Sequence, residues 1–363
     1  MVKIALDATY AADPEPTGTG IYSRRLVAAL AASPPFQQGS EYRLALCFRL
    51  GPYLRWARKG TWPTGCSIGP LLETWPLPRR VSLFHGLNQR LPGHPYPFRV
   101  VTIHDLFPLT SADYSTLDFQ RHFSEIIRRA IVGADRVIAV SDATRQQLLR
   151  YTEAAAAKIR VIHHGVDPPL IPSESEKEVF RERVLGLKRD EKFFLNVGTI
   201  QVRKNVANII LAIKRLPELR LVLAGGDGFG AEGIISLMGR EAMTGRVIRL
   251  GHTSIERLSL LYSTATGLVF PSLEEGFGFP ILEAMSYGLP VITSCCSSMP
   301  EVAGDAALFV DPRDVTKISE AMRRLAEDNV LADDLRRRGK QRAGLFTWEK
   351  CARETWEVYR ELL

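Results

Sequence analysis

The sequence predicts an α/β protein of two domains, each built on a doubly wound parallel sheet. Three observations carry this. Short β-branched runs alternate with helical patterns along the chain, as parallel strands joined by crossover helices do. The 363 residues exceed what one hydrophobic core normally organises. A Pro- and Ser-rich stretch, HHGVDPPLIPSESEKE at residues 163–178, breaks the alternation near mid-chain, as an interdomain linker does.

Taken in order, the first half offers the strands VKIALDA, YRLALCF, SLFHG, RVVTIHD, DRVIAVS and KIRVIHH. The second half offers KFFLNVG, LRLVLAGG, RVIRLGH, GLVFPS, PVITS and AALFV. Each set is large enough for a sheet of its own. The domains are therefore expected at residues 1–168 and 169–347. Residues 347–363 place Trp348, Cys351, Thr355 or Trp356, and Tyr359 at helical spacing, which predicts a final amphipathic helix. There is no short-period repeat and no low-complexity segment.

Composition is that of an ordinary globular protein, 45% hydrophobic and 24% charged. No apolar run reaches the ~18 residues of a membrane-spanning helix. MVKIALDATY reads as a first strand rather than a signal peptide, so a cytoplasmic location is expected. Five cysteines show neither a C-x-x-C pair nor zinc spacing. They read as small buried residues in a reducing compartment, including the adjacent Cys295 and Cys296. The formal charge of +7 favours nucleotide phosphates or anionic headgroups. No nucleic-acid-binding module or basic stripe with interleaved aromatics is present, so nucleic acid is not an expected partner.

Ligands of open parallel sheets bind at the carboxyl ends of strands, so the residues that follow strands matter most. The run FPSLEEGFGFPILEAMSYGLPVITS sets Glu275 and Glu283 seven intervening residues apart. Gly276 and Gly278, around Phe277, let the backbone approach a ligand closely. Pro280 suits a first helical turn, whose free N–H groups attract an anion. Glu275 is then expected at the mouth of an anion site and Glu283 about one turn inside the helix. A sugar hydroxyl suits the first and a ribose hydroxyl the second. The bland alternative is a surface loop with both carboxylates solvated.

In KFFLNVGTIQVRKNVANII a strand ends at Gly198 and a helix is expected from Lys204 or Asn205. Arg203 and Lys204 would lie at its N-terminus, where two cations can hold a pyrophosphate. In DATYAADPEPTGTGIYSRRL, Gly18 and Gly20 precede a helix expected near Ile21 and offer backbone amides to a phosphate or an acceptor. Asp7 either faces the ligand or caps a turn. RVVTIHDLFP brings His104 and Asp105 to a strand end, where a histidine orients a sugar, moves a proton, or is simply a satisfied polar residue. Ser141 reads as a helix N-cap. His163 and His164 would alternate faces on a strand, so with Asp167 they make a poor metal site, and no metal is expected. Gly228, Gly230 and Gly233 match G-x-G-x-x-G, a dinucleotide fingerprint. They follow the second strand of their domain and the looser Gly225-Gly226-Asp227, which argues against a dehydrogenase. Gly251 and His252 end the next strand, where a nucleobase could lie.

The Glu275–Glu283 run resembles the E-x7-E motif of retaining glycosyltransferases of the GT-B fold, family 4 in particular. GTIQVRKN resembles that family's G-x-x-x-x-R-K-N segment, HHGVD its H-x-G-V-D turn, and the Gly18–Gly20 loop its G-x-G-x-Y. The resemblance implies two Rossmann-like domains facing across a cleft, with the helix at about 348–363 crossing back to the first. It implies transfer of a hexose from a nucleotide sugar to an acceptor hydroxyl with retention, without a metal cofactor. Arg203 and Lys204 would contact the donor diphosphate, Glu275 and His104 the donor sugar, and Glu283 the ribose. Gly18, Gly20, Gly198, Gly226, His252, Gly276, Phe277 and Gly278 would complete the donor site. The general look is similar to bacterial mannosyltransferases of polysaccharide or glycolipid assembly, which makes GDP-mannose the first expected donor and a UDP-hexose the second. The expected acceptor is a glycan or a lipid-linked sugar. An epimerase, a phosphorylase and a catalytically silent sugar-nucleotide-binding subunit are the alternatives. The basic, aromatic segment RLGPYLRWARKGTWP, residues 49–63, suits peripheral contact with the inner face of a membrane, unless its aromatics pack inward.

Overall fold

Apolar strands alternating with amphipathic helices give two separate parallel sheets in the computed structural model. The structure describes residues 1–71, 81–239 and 245–363. The first sheet contains β1 (Val2–Asp7), β2 (Tyr42–Arg49), β3 (Ser67–Leu71), β4 (Val81–Gly86), β5 (Phe98–Ile103), β6 (Arg136–Ala139) and β7 (Ile159–Val161). Their order is β3-β2-β1-β4-β5-β6-β7, and every pairing is parallel. Ile4 of β1 lies between Leu44 of β2 and Leu83 of β4, all three fully or almost fully buried. β3 is absent from the strands read in the sequence. It holds Gly69 and Pro70, poor strand formers that are tolerated because β3 is an edge.

The second sheet contains β8 (Phe193–Val197), β9 (Arg220–Ala224), β10 (Val247–Gly251), β11 (Gly267–Phe270), β12 (Val291–Ser294) and β13 (Ala307–Val310). It runs β10-β9-β8-β11-β12-β13, again parallel throughout. Ile209 and Ile213 of the helix Val206–Lys214 meet Ile318, Met322 and Leu325 of the helix Val315–Glu327 in one buried cluster with Phe194, Leu221 and Val269. Each such side chain contributes roughly 1.5–3 kcal/mol on burial. Strand order reverses between β1 and β4 in the first sheet and between β8 and β11 in the second. At such a reversal the crossovers diverge and leave a crevice at the carboxyl ends.

The chain forms two compact units. The first is Met1–Thr110, Leu117–Gly165 and Phe346–Leu363, and the second is Ser111–Thr116 and Val166–Leu345. The short excursion Ser111–Thr116 has no counterpart in the sequence reading. Within the first unit, the helix Trp348–Arg360 is capped by Thr347, whose hydroxyl accepts the Lys350 N–H at 3.1 Å, and it packs on the helix Gly18–Ala32. A Cβ on Gly165 would stand 2.4 Å from the Trp348 nitrogen, so only glycine allows the chain to leave the unit there. The expected linker is partly helical. Ser173 and Glu176 exchange hydrogen bonds in a capping box that starts the helix Glu174–Val179. No helix among the described residues is long and apolar enough to cross a membrane.

Candidate active site

The loops after β8 and β11 emerge side by side at the strand reversal of the second unit. After β8 the chain passes Gly198 (φ 128°) and pairs with the loop after β9: the Ile200 N–H donates to Gly226 at 2.8 Å and the Gly228 N–H to Ile200 at 2.9 Å. A Cβ on Gly225 would lie 2.0 Å from the Gly198 carbonyl oxygen, and one on Gly228 would lie 2.6 Å from the Thr199 methyl. Within the G-x-G-x-x-G match, Gly228 and Gly230 are thus required by loop packing, the latter with its Cβ position 2.5 Å from a Val202 methyl, whereas nothing lies within 4 Å of that of Gly233.

Arg203 and Lys204 sit in a 3-10 turn, Val202–Lys204, and the α-helix begins only at Val206. This corrects the expected helix start. Asn205 breaks the two apart with a left-handed backbone (φ 59°), and its side-chain amide donates to the carbonyls of Pro271 at 3.0 Å and Pro312 at 2.6 Å. One residue therefore ties the loop after β8 to the loops after β11 and β13. The Arg203 carbonyl adds a bond from the Leu273 N–H at 2.9 Å.

Glu275 is buried at 7% exposure, as is Arg203. Arg203 Nη1 lies 2.8 Å from Glu275 Oε2, and Lys204 Nζ lies 2.7 Å from Oε1. Arg203 also donates to the Glu274 carbonyl, and Lys204 Nζ stands 4.8 Å from the Phe270 ring centroid. Burial pushes the Glu275 carboxyl up, but the two cations and their hydrogen bonds more than offset this and hold it at about 2. Glu275 is therefore a buried carboxylate shared by both cations, not the solvated carboxylate of the surface-loop alternative. The loop that carries it is braced from behind β12. Ser294 donates to the Ser272 carbonyl at 2.7 Å, Ser297 to Glu275 at 2.7 Å, and Ser298 to both Glu275 and Phe277.

Gly278 (φ 104°) turns the chain into the helix Phe279–Ser286, with Pro280 in its first turn. Glu283 accepts the Tyr262 hydroxyl at 2.7 Å, and the Tyr262 ring stacks 5.3 Å from that of Tyr287. Burial pushes the Glu283 carboxyl up, the Tyr262 bond opposes that, and the charge of Asp167 adds to it. Gly251 (φ 65°) ends β10, and His252 beyond it is exposed.

In the first unit, His104 follows β5, is 7% exposed, and meets the Leu87 carbonyl at 2.9 Å through Nε2. A carbonyl only accepts, so Nε2 carries the proton and Nδ1 the lone pair. The ring lies edge-on to Tyr22 at 4.8 Å and stacks on His164 at 5.4 Å. Burial lowers the His104 pKa to about 4, so the ring is neutral near pH 7. The helix after β1 starts at Gly18, not near Ile21, so both glycines belong to its first turn. Gly18 is exposed, whereas a Cβ on Gly20 would stand 2.7 Å from that of Pro16. Asp7 caps the turn after β1, accepting the Thr9 N–H at 3.1 Å. Ser141 caps its helix, accepting the Thr144 N–H at 3.0 Å. His163 and His164 lie beyond β7, the first against Phe346 and the second against Tyr22. Among the described residues no group of His, Cys, Asp or Glu is placed to hold a metal ion.

Several residues escaped the sequence reading. The serines from Ser294 to Ser298 carry no motif that singles them out, although small polar residues after a strand are natural braces for a neighbouring loop. Cys295 is exposed rather than buried, and Cys296 donates to the Leu273 carbonyl at 3.4 Å. Tyr114, on the excursion Ser111–Thr116, is half-buried and lies in a segment packed on the turn that carries Arg203. His85 bridges Tyr359 at 2.6 Å and Thr102 at 2.8 Å, and Thr102 meets Tyr22 at 2.9 Å.

Two doubly wound parallel units with charged loops at the reversal of one sheet make this a GT-B architecture. The comparisons agree in fold. Anabaena HepE in complex with UDP and glucose matches with a TM-score of 0.75 at 16% identity, covering 99% of this chain and 100% of that one. The model for glycosyl transferases group 1 matches residues 178–342, and that for glycosyltransferase family 4 matches residues 80–169. The O-antigen chain mannosyltransferase B of Escherichia coli is 32% identical over 303 residues, 81% of this chain and 78% of that protein. The chain belongs to the family 4 glycosyltransferases. The serotype-specific mannosyltransferase WbdA of Escherichia coli is 28% identical over 298 residues, and the match spans 78% of this chain but only 36% of WbdA.

Proposed function

We propose that this glycosyltransferase moves mannose from GDP-mannose to a hydroxyl of a glycan or lipid-linked acceptor in polysaccharide assembly, with retention. The observation that carries the reading is the pair of buried Arg203 and partly buried Lys204 at the reversal between β8 and β11. Two fixed cations in a water-poor site suit a departing diphosphate. Mannose rests on the names of the two mannosyltransferase relatives, and retention rests on the E-x7-E resemblance. In this reading the bond from the anomeric carbon to the diphosphate breaks, and the diphosphate leaves with the electron pair beside Arg203 and Lys204. The acceptor oxygen bonds to the same face of that carbon, and its proton passes to a phosphate oxygen. Glu283 holds the ribose. Glu275 and His104 hold the donor sugar, and Gly18 and Gly20 offer backbone amides to the donor or the acceptor. Gly198, Gly226, His252, Gly276, Phe277 and Gly278 offer backbone or a ring to the nucleotide. Charge neutralisation falls to the two cations, without a metal. The protein works in the cytoplasm, with residues 49–63 touching the membrane surface.

A UDP-hexose is the second donor reading, favoured by the fold shared with a UDP complex. The test is incubation of GDP-mannose and UDP-glucose with the protein and a panel of mannosyl acceptors, with the product anomer read by NMR. An α-mannoside from the α-linked donor is the expected result. The β-anomer refutes retention, and no turnover of either donor points to a silent binding subunit. Arg203→Ala and Lys204→Ala are each expected to slow transfer by about 3 kcal/mol, on the order of a hundredfold.

A further inference from the structure

Glu283 sits on the helix Phe279–Ser286, and a glutamate there samples several rotamers unless a partner holds it. The partner comes from a second helix, Ile255–Thr264, which leads from β10 to β11. Tyr262 of that helix is 3% exposed and donates its hydroxyl to Glu283 Oε2 at 2.7 Å. Burial and the charge of Glu283 push this hydroxyl well above its ordinary value, so it stays a donor near neutral pH. The Tyr262 ring is held in turn. It stacks on Tyr287 at 5.3 Å with 27° between the planes. The Tyr287 hydroxyl accepts the Leu170 N–H at 3.0 Å, which ties the pair to the segment that enters this unit at Val166. The main chain beneath the carboxylate is fixed as well, because the Glu283 carbonyl accepts the Ser286 hydroxyl at 2.7 Å and the Tyr287 N–H at 3.3 Å. Asp167 and Lys204 act on Glu283 by charge alone, in opposite directions. Glu283 itself is partly exposed.

From this arrangement we infer that Tyr262 is a positioning residue for the donor nucleotide: its hydroxyl holds Glu283 in the orientation that accepts the ribose hydroxyls, and Tyr287 holds Tyr262 in place. Tyr262 acts through Glu283, as an outer partner that fixes the group in contact with the ligand. The inference rests on the proposed assignment of Glu283 to the ribose. It differs from a purely structural role for Tyr262, because only a positioning role depends on the ribose diol.

Calorimetry on the wild type and Tyr262→Phe measures affinity for GDP, for UDP and for their 2′,3′-dideoxy analogues, alongside kcat and KM for the nucleotide-sugar donor. The substitution keeps the ring and its stacking and removes only the hydroxyl. The wild type is expected to bind its nucleotide more tightly than the dideoxy analogue. In Tyr262→Phe this ratio falls on the order of tenfold, a common loss when a charged group loses one hydrogen bond. The dideoxy analogue binds as before. The donor KM rises by a similar factor and kcat holds, because the ribose lies away from the bond that breaks and is gripped equally before and during transfer. Equal weakening of the nucleotide and its dideoxy analogue, or a fall in kcat, makes Tyr262 structural and overturns the inference. So does an unchanged ratio. Should Tyr262→Phe fail to fold, Tyr287→Leu decides, since it removes the ring on which Tyr262 rests. A smaller ratio in that variant supports the inference, and an unchanged one overturns it. A wild type that binds neither nucleotide, or binds them equally with and without the diol, refutes the donor-site reading itself and the inference with it, which is a separate failure.

Discussion

Three histidines of the first unit are buried and neutral. Burial lowers His85 to about 3 and His104 to about 4, and it takes His164 well below the ordinary value of 6.5. In the unfolded chain the same rings protonate near 6.5. Above that pH both states are neutral and the shifts cost nothing. As pH falls from 6.5 towards 4 the unfolded state gains protons that the folded state refuses, so stability falls. Each histidine contributes about 1.4 kcal/mol per pH unit inside its own window. Asp7 and Glu283, raised by burial, act with the opposite sign and soften the acid end. Urea unfolding followed by tryptophan fluorescence is expected to show stability dropping steadily from pH 6.5 to pH 4.5, less steeply in His164→Phe. A flat profile contradicts the buried, neutral histidines. At this scale the sequence exposed charge type and position after a strand, enough to single out Arg203, Lys204, Glu275 and His104. It hid partners, because Arg203 and Glu275 are brought together only by parallel pairing of β8 with β11.

The element scale belongs to loop pairing. The loop after β9 lies against the loop after β8, and its glycines divide into two kinds. Gly225 (φ 157°) has no room for a Cβ, whereas nothing lies within 4 Å of the Cβ position of Gly226. Gly225→Ala should destabilise the protein and distort the turn that carries Arg203, at a cost of about 1–3 kcal/mol or more. Gly226→Ala should melt like the wild type yet bind nucleotide more weakly if the ligand approaches that backbone. Equal melting temperatures for both variants would contradict the packing account. Strands were legible because β-branched runs are local signals. β3 was not, since an edge tolerates Gly and Pro. The starts of the helices at Gly18 and Val206 were misplaced because the deciding contacts are tertiary: Gly20 against Pro16, and Asn205 against Pro271 and Pro312.

Across the whole molecule, the two-sheet organisation followed from length and alternation, whereas the excursion Ser111–Thr116 left no local trace in the sequence. Residues 49–63 form an exposed surface of the first unit. Leu50, Leu54 and Trp56 are exposed at 51%, 52% and 36%, among the exposed Arg55, Arg58 and Lys59. Trp62 turns inward, donating to the Ala57 carbonyl at 2.8 Å and lying 4.8 Å from the Phe48 ring. Exposed apolar side chains set among cations suit an anionic lipid surface. The protein should float with anionic vesicles at low salt and release at high salt as screening shortens the reach of charge. Replacing Arg55, Arg58 and Lys59 with Ser should abolish flotation, and undiminished flotation of that variant removes the segment from the account.

The central claim is that Arg203 and Lys204 hold the diphosphate of a nucleotide-sugar donor. Calorimetric titration of GDP and guanosine into the wild type, Arg203→Ala and Lys204→Ala tests it most directly. The wild type is expected to bind GDP more tightly than guanosine, and each substitution to remove most of this difference while leaving guanosine affinity unchanged. Equal GDP affinity in all three proteins would contradict it.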